Sequence, residues 1–248
     1  DNWGNNFWNV GYDFHFGVTI DDIGFLESLA SYLQSTYQLS STNTFITGMS
    51  NGGEISYSLA FDGSNIFKAF APVAGGVWPN GTINNLFNPN IPVPIFVTHG
   101  YNDNVTLYQG DPNDQFWGPY LGVDTLVDFW VNENSLTNVN IDTFPDLNND
   151  GNITISKKYF SSLTNNEVWL YVHQNDHNWG DSDISIEQEI WGFFSLYVNN
   201  STDIIELHNN RKLISVSNLF GQKDINHINT FLLYQYNDGS VEKKIIID

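Results

Sequence analysis

The chain has 248 residues, no cysteine and one methionine, which excludes disulfides, thiolate metal sites and a cysteine nucleophile and leaves room for one α/β domain with a small appendage. Its formal charge of -20 is uneven: residues 201–248 carry five of the eight basic side chains and six of the 28 acidic ones, leaving three basic against 22 acidic before them. Phosphates need a basic face, so nucleic acid is not an expected partner, and no run approaches the ~18 apolar residues of a membrane span.

Residues 1–17 are rich in Asn, Gly and aromatics (Trp3, Phe7, Trp8, Tyr12, Phe14, Phe16) without a period, and read as a loop that packs its rings on something. From there Ile23, Leu26, Leu29, Leu33 and Tyr37 fall at helical spacing, which predicts a helix over 20–37 with Thr19 and Asp22 as its capping box. A short β-prone run at 44–47 then meets Gly48-Met49-Ser50-Asn51-Gly52, the G-x-S-x-G pattern of a strand-to-helix turn that carries a nucleophilic serine, and a helical run follows at 53–61. The glycines have a steric task, since Ser50 must take a strained backbone conformation to project its hydroxyl and nearby side chains would collide. Taken alone, the pentapeptide also fits a glycine-rich turn with an incidental serine.

Two further buried strands are expected at 69–73 and 94–98, separated by a Gly, Asn and Pro loop, and the second leads into His99-Gly100. Residues 123–132 read as a helix with Leu126, Phe129 and Trp130 on one side, 167–172 as a strand, and 184–198 as a closing helix. This alternation describes an open, mostly parallel α/β sheet with its chemistry at the carboxyl ends of the strands. Residues 146–153 match the first half of a calcium loop through Asp146, Asn148 and Asp150, but position twelve is Lys157 and Asp-Gly between strand-like runs is equally a turn. No metal is expected.

A serine nucleophile needs a base to take its proton and an acid to orient that base. Asp103 lies just past the 94–98 strand and His177 just past the 167–172 strand, in the order Ser, Asp, His. His173 sits too near its strand, His15, His208 and His227 lie outside the strand-end loops, and His99 reads as a hydrogen-bonded turn residue. Asp111 and Asp114 read as solvated turn residues, and Asp176 adjoins His177, a placement from which side chains rarely make the orienting contact.

The runs 18–25 and 48–53, Ala71-Pro72-Val73-Ala74-Gly75, His99-Gly100-Tyr101-Asn102-Asp103 and His177-Asn178-Trp179 together resemble the polyhydroxybutyrate depolymerase and feruloyl esterase group of α/β-hydrolases over residues 1–198. The resemblance implies an α/β-hydrolase fold and a carboxylic ester hydrolase, with Ser50 as nucleophile, Asp103 as acid and His177 as base. It further implies the Asn51 backbone N–H as an oxyanion donor and Trp179 and Tyr101 as substrate-binding aromatics, with no cofactor. Gly180 stands where the group often has proline. Members also begin with earlier strands and an His-Gly loop that supplies a second oxyanion donor, so the sequence is expected to be a piece of a longer protein, with any signal peptide upstream.

Residues 200–248 differ in charge and pattern, with short β runs at 204–207, 212–216, 231–236 and 241–247 that suit a small sandwich. Residues 216–222 and 237–244 resemble the C-terminal sorting domain of the type IX secretion system of Bacteroidetes, which implies the secretion machinery as a partner and an extracellular or cell-surface location. The expected organisation is an esterase domain at 1–199 and an all-β accessory domain at 200–248. The expected function is a secreted serine esterase acting on a polyester or an acylated or feruloylated polysaccharide; a serine peptidase of the same fold, or a non-catalytic hydrolase-like binding protein, are the alternatives.

Overall fold

A computed structural model describes residues 6–79, 92–180, 183–199, 212–218, 231–237 and 239–245, and contacts divide the chain into two units, Asp1–Asn199 and Asn200–Asp248. In the first unit a 3-10 turn (Asp13–His15) precedes α1 (Asp22–Tyr37), β1 (Ile46–Met49), α2 (Asn51–Asp62), β2 (Phe70–Val73) and β3 (Ile95–Gly100). There follow α3 (Val123–Glu133), β4 (Asn138–Thr143), β5 (Thr154–Phe160), β6 (Val168–His173) and α4 (Ile186–Ser195). The strands form one sheet in the order β1-β2-β3-β6-β5-β4. The first four are parallel, while β5 and β4 are antiparallel, so the sheet is mixed and α/β-hydrolase-like.

Side-chain alternation along the parallel strands builds a core on each face. Phe70, Ile95, Val97, Val168 and Leu170 point to the face covered by Leu59 of α2 and by Leu126, Val127 and Trp130 of α3. The intervening Ala69, Ala71, Phe96, Trp169 and Tyr171 point to the opposite face, which α4 closes with Ile190, Phe193 and Phe194. A third cluster gathers Val10 and Tyr12 of the first segment with Ile55, Trp78 and Tyr120, so the early aromatics pack as their composition implies.

One expectation is corrected. Helix α1 is capped by Asp21, whose carboxylate accepts the Gly24 N–H at 2.8 Å, and not by a Thr19–Asp22 box; Asp22 instead accepts the Asn9 N–H at 2.7 Å. The calcium-like stretch at 146–153 is the connection of the β4–β5 hairpin. In the second unit the described residues form one three-stranded antiparallel sheet, β7 (Leu213–Asn218), β8 (Phe231–Tyr236) and β9 (Val241–Ile245); the run at 204–207 lies outside the described residues. No helix among the described residues is long and apolar enough to cross a membrane.

Phe96 is fully enclosed, with ring centroids of Tyr171, Trp169 and Phe193 at 4.6, 5.5 and 5.6 Å. Phe96→Ala is expected to cost about 3–5 kcal/mol of stability, read as a lower urea midpoint with an unchanged slope.

Candidate active site

Strand β1 delivers the chain to Ser50, the N-cap of α2, at φ 55 and ψ -125. Few non-glycine residues adopt this conformation, and here it is held by two bonds: Ser50 N–H donates to Val73 O at 2.9 Å and Glu54 N–H donates to Ser50 O at 3.0 Å. Gly48 has to be glycine, because a Cβ there would lie 2.6 Å from the Gly52 backbone. The turn leaves the hydroxyl-bearing residue at the positive end of α2, where first-turn N–H groups such as that of Asn51 can face developing negative charge.

Strands β3 and β6 are parallel neighbours, with Gly100 opposite His173. The loop after β6 folds across the end of β3 so closely that a Cβ on Gly100 would meet Asn175 O at 2.4 Å. Asp176 fastens the two loops together by accepting the backbone N–H of Asn104 at 2.9 Å and its side-chain amide at 2.6 Å. This brings together Asp103 and His177, whose Nδ1 lies 2.8 Å from Asp103 Oδ2. The Asp103 side chain is fully enclosed, and its other oxygen accepts the N–H groups of Val105 and Thr106, both at 2.8 Å.

His99, read from sequence as a turn residue, closes β3 and supports the same carboxylate: its Nε2 donates to Thr106 O at 2.7 Å and lies 3.3 Å from Asp103 Oδ2. Burial alone would raise the pKa of Asp103, but the bonds from His177, His99, Thr106 and Val105 outweigh it and hold the carboxyl well below its ordinary range. The Asp103 bond in turn raises His177 above its usual value, against partial burial and with help from the charges of Asp103, Glu54 and Asp176. A carboxylate on Nδ1 fixes the proton there, so the neutral ring presents Nε2 as an acceptor.

A cavity of about 60 Å³ opens beside Ser50 and is lined by the rings of Phe7, Tyr12, Trp78, Trp117 and Tyr120 together with Val105, Thr106 and Glu54. Glu54, four residues after Ser50 on α2, is 3 % exposed and was not singled out from the sequence. Its carboxyl accepts the Tyr12 hydroxyl, the Asn51 side-chain amide at 3.0 Å and the Gly76 backbone N–H. The Asn51 side chain also accepts the Trp8 N–H at 2.6 Å. Burial pushes Glu54 up to about 7, opposed by the bonds from Tyr12, Asn51 and Gly76 and by the charge of His177. The one sequence signal was a carboxylate inside an otherwise apolar helical run.

The remaining candidates lie apart from this cavity. Tyr101 is 54 % exposed and Trp179 44 % exposed, and neither lines it. His173 is buried at the end of β6, His15 packs its ring on Tyr12, and His208 and His227 lie outside the described residues. Carboxylate oxygens of Asp146, Asp150 and Asp183 come within 4.8 Å of one another and could hold a cation, but they also serve the loop itself: Asp146 accepts the N–H of Gly151 and Asp183 those of Leu147 and Asn148.

No protein-family model matches the chain. Over 90 residues, 36% of the chain, it is 31% identical to a probable feruloyl esterase C of Aspergillus niger and 30% identical to one of Aspergillus clavatus. Over 88 residues it is 31% identical to a bifunctional acetylxylan esterase/xylanase of Neocallimastix patriciarum. These matches span 32%, 31% and 12% of the relatives' own lengths, so the chain covers about a third or less of each. An acetyl xylan esterase structure from Aspergillus awamori aligns over 77% of this chain and 73% of that one, at 11% identity and a TM-score of 0.48. By the sequence matches the chain is distantly similar to feruloyl and acetylxylan esterases.

Glu54 sits above its unfolded value of 4.5, so its neutral form favours the folded state; that contribution is complete below pH 4.5 and is lost as pH rises through about 7. The stability difference between Glu54→Gln and wild type is therefore expected to move in the variant's favour by about 3 kcal/mol between pH 4 and pH 8.5, measured by denaturant unfolding at each pH.

Proposed function

We propose that the chain is a serine carboxylic-ester hydrolase that removes acyl groups from polysaccharide. The observation that carries this reading is the 2.8 Å bond from His177 to an enclosed Asp103 carboxylate, past the same carboxyl ends of the parallel strands at which the elbow presents Ser50. Ser50 Oγ attacks the ester carbonyl while His177 Nε2 takes its proton; the carbonyl oxygen becomes an oxyanion that accepts the Asn51 N–H. His177 then protonates the departing sugar oxygen as the acyl-enzyme forms, and the same steps with water release the acid and restore Ser50. Asp103 holds the ring and supports the imidazolium without itself taking the proton.

Feruloyl and acetylxylan esterases among its relatives favour an acylated polysaccharide over a polyester. The exposed rings of Tyr101 and Trp179 are the surfaces on which sugar rings would stack beside the reacting ester. We read residues 200–248 as the module that hands the enzyme to the type IX secretion machinery, which would make it an extracellular or cell-surface protein of a Bacteroidetes-type bacterium.

A fluorophosphonate probe is expected to label Ser50, and Ser50→Ala is expected to lose both the label and the hydrolysis of p-nitrophenyl acetate and acetylated xylan. A wild-type protein that neither labels nor cleaves these esters overturns the reading. Because His177 must be neutral to act as base and its value is raised, kcat/KM is expected to rise with pH through a midpoint above 6.5. Asp103→Asn should lower kcat about 10³–10⁴-fold. Deleting residues 200–248 in the native host is expected to leave kcat/KM within about twofold while enzyme is lost from the cell surface; unchanged delivery would remove the sorting role.

A further inference from the structure

The Glu54 carboxyl is the point at which three separately folded pieces of the pocket meet. Tyr12 comes from the first segment, Asn51 from the elbow helix, and the Gly76 N–H from the loop after β2 that also carries Trp78. Through Asn51, which holds the Trp8 backbone by accepting its N–H, the same carboxyl ties down residues 7–12 across the face of Ser50. The wall so formed is aromatic and tight. The space, about 60 Å³ and partly open to solvent, is well under the ~150 Å³ that accommodates a benzene ring, and it suits a two-carbon acyl group.

We propose that Glu54 is a positioning residue that pins Tyr12 and Asn51 against Ser50 and thereby restricts the acyl pocket to acetyl-sized groups. This rests on the reading of Ser50 as the nucleophile. The carboxyl does not touch the reacting atoms; it fixes the wall against which the acyl methyl rests, so that the carbonyl is held for attack. A substrate with a longer acyl chain meets Tyr12 and Trp78 before its carbonyl reaches Ser50. The carboxyl also acts through space on the base. Facing it are Tyr12, with the His15 ring tilted against it at 4.9 Å, the Asn51 amide, the Gly76 N–H and His177; His177 itself faces Asp103 and Asp176.

The test compares kcat and KM of full-length wild type, Glu54→Gln, Glu54→Met and Ser50→Ala on p-nitrophenyl acetate and butyrate across pH 5–9. Wild type is expected to prefer acetate at least tenfold in kcat/KM. Glu54→Met, which removes all three acceptor bonds, should lower kcat on acetate tenfold or more and bring the acetate-to-butyrate ratio towards one. Glu54→Gln keeps an oxygen for Tyr12 and Asn51 and loses the charge, so it should retain the ratio while the acid limb of the pH profile moves to lower pH. A wild-type ratio and kcat in a folded Glu54→Met overturns the proposal, and so does an unmoved acid limb in Glu54→Gln, which decides the matter if Glu54→Met does not fold. Hydrolysis surviving in Ser50→Ala overturns the nucleophile assignment and the proposal with it. Hydrolysis abolished there, with the Glu54 variants unchanged, overturns the Glu54 role alone.

Discussion

A carboxylate with no contact to water is costly unless every oxygen is met by donors, and Asp103 is the group on which the geometry of the proposed site depends. Its donors come from its own loop, through the N–H groups of Val105 and Thr106, and from two histidines, His99 at the end of β3 and His177 beyond β6. Satisfying the carboxylate therefore forces the two strand-end loops into one arrangement. The close approach at Gly100 and the Asp176 bonds to Asn104 are what that arrangement requires of the neighbouring chain. The orientation of the His177 ring thus follows from a desolvation constraint as much as from any contact of the ring itself.

The architecture is equally determined by one periodic fact. Along β3 and β6 the side chains alternate between two apolar layers, so both strands must be covered on both faces, and α2 and α3 on one side with α4 on the other provide the cover. Strand β4, by contrast, is exposed along its whole length and, among the described residues, pairs only with β5. An antiparallel hairpin can occupy the sheet edge because it needs no crossover helix, and Asp146 and Asp150 sit in its connecting loop where acidic side chains accept backbone N–H groups.

What was legible in the sequence follows from these constraints. The sharp turn at Ser50 could be read because sterics demand glycine at fixed offsets from it, and the meeting of Asp103 with His177 because both lie just past the ends of neighbouring strands. The parallel strands were read from continuous apolar runs, whereas the exposed pattern of β4 offers no hydrophobic contrast by which to recognise it. The cap of α1 was misjudged by two residues, since Thr19, Asp21 and Asp22 all offer oxygen near a helix start and only the backbone path decides which one meets the Gly24 N–H. Glu54 was missed for a deeper reason: its three partners come from positions 12, 51 and 76, and no local spacing encodes their meeting. His99 was read as hydrogen-bonded, which holds, but its second contact with Asp103 depends on the turn that follows β3.

The elbow concentrates costs that the rest of the unit must offset. Ser50 holds a backbone conformation that costs about 1–3 kcal/mol, and one helical turn later Glu54 buries an ionisable group among aromatic rings. The two features share a remedy: Gly76 and Tyr12 donate to the carboxyl, and the same loop and segment carry rings that line the cavity beside Ser50. In the proposed reaction a fractional negative charge beside the oxyanion would oppose the attack, yet the same charge would favour an imidazolium on His177 in the same step. Donors from Tyr12, Asn51 and Gly76 converge on the Glu54 carboxyl and would draw its charge away from Ser50, whereas the proposed oxyanion would meet the N–H groups at the start of α2. The arrangement therefore leaves the carboxyl's influence on the base and limits its influence on the oxyanion.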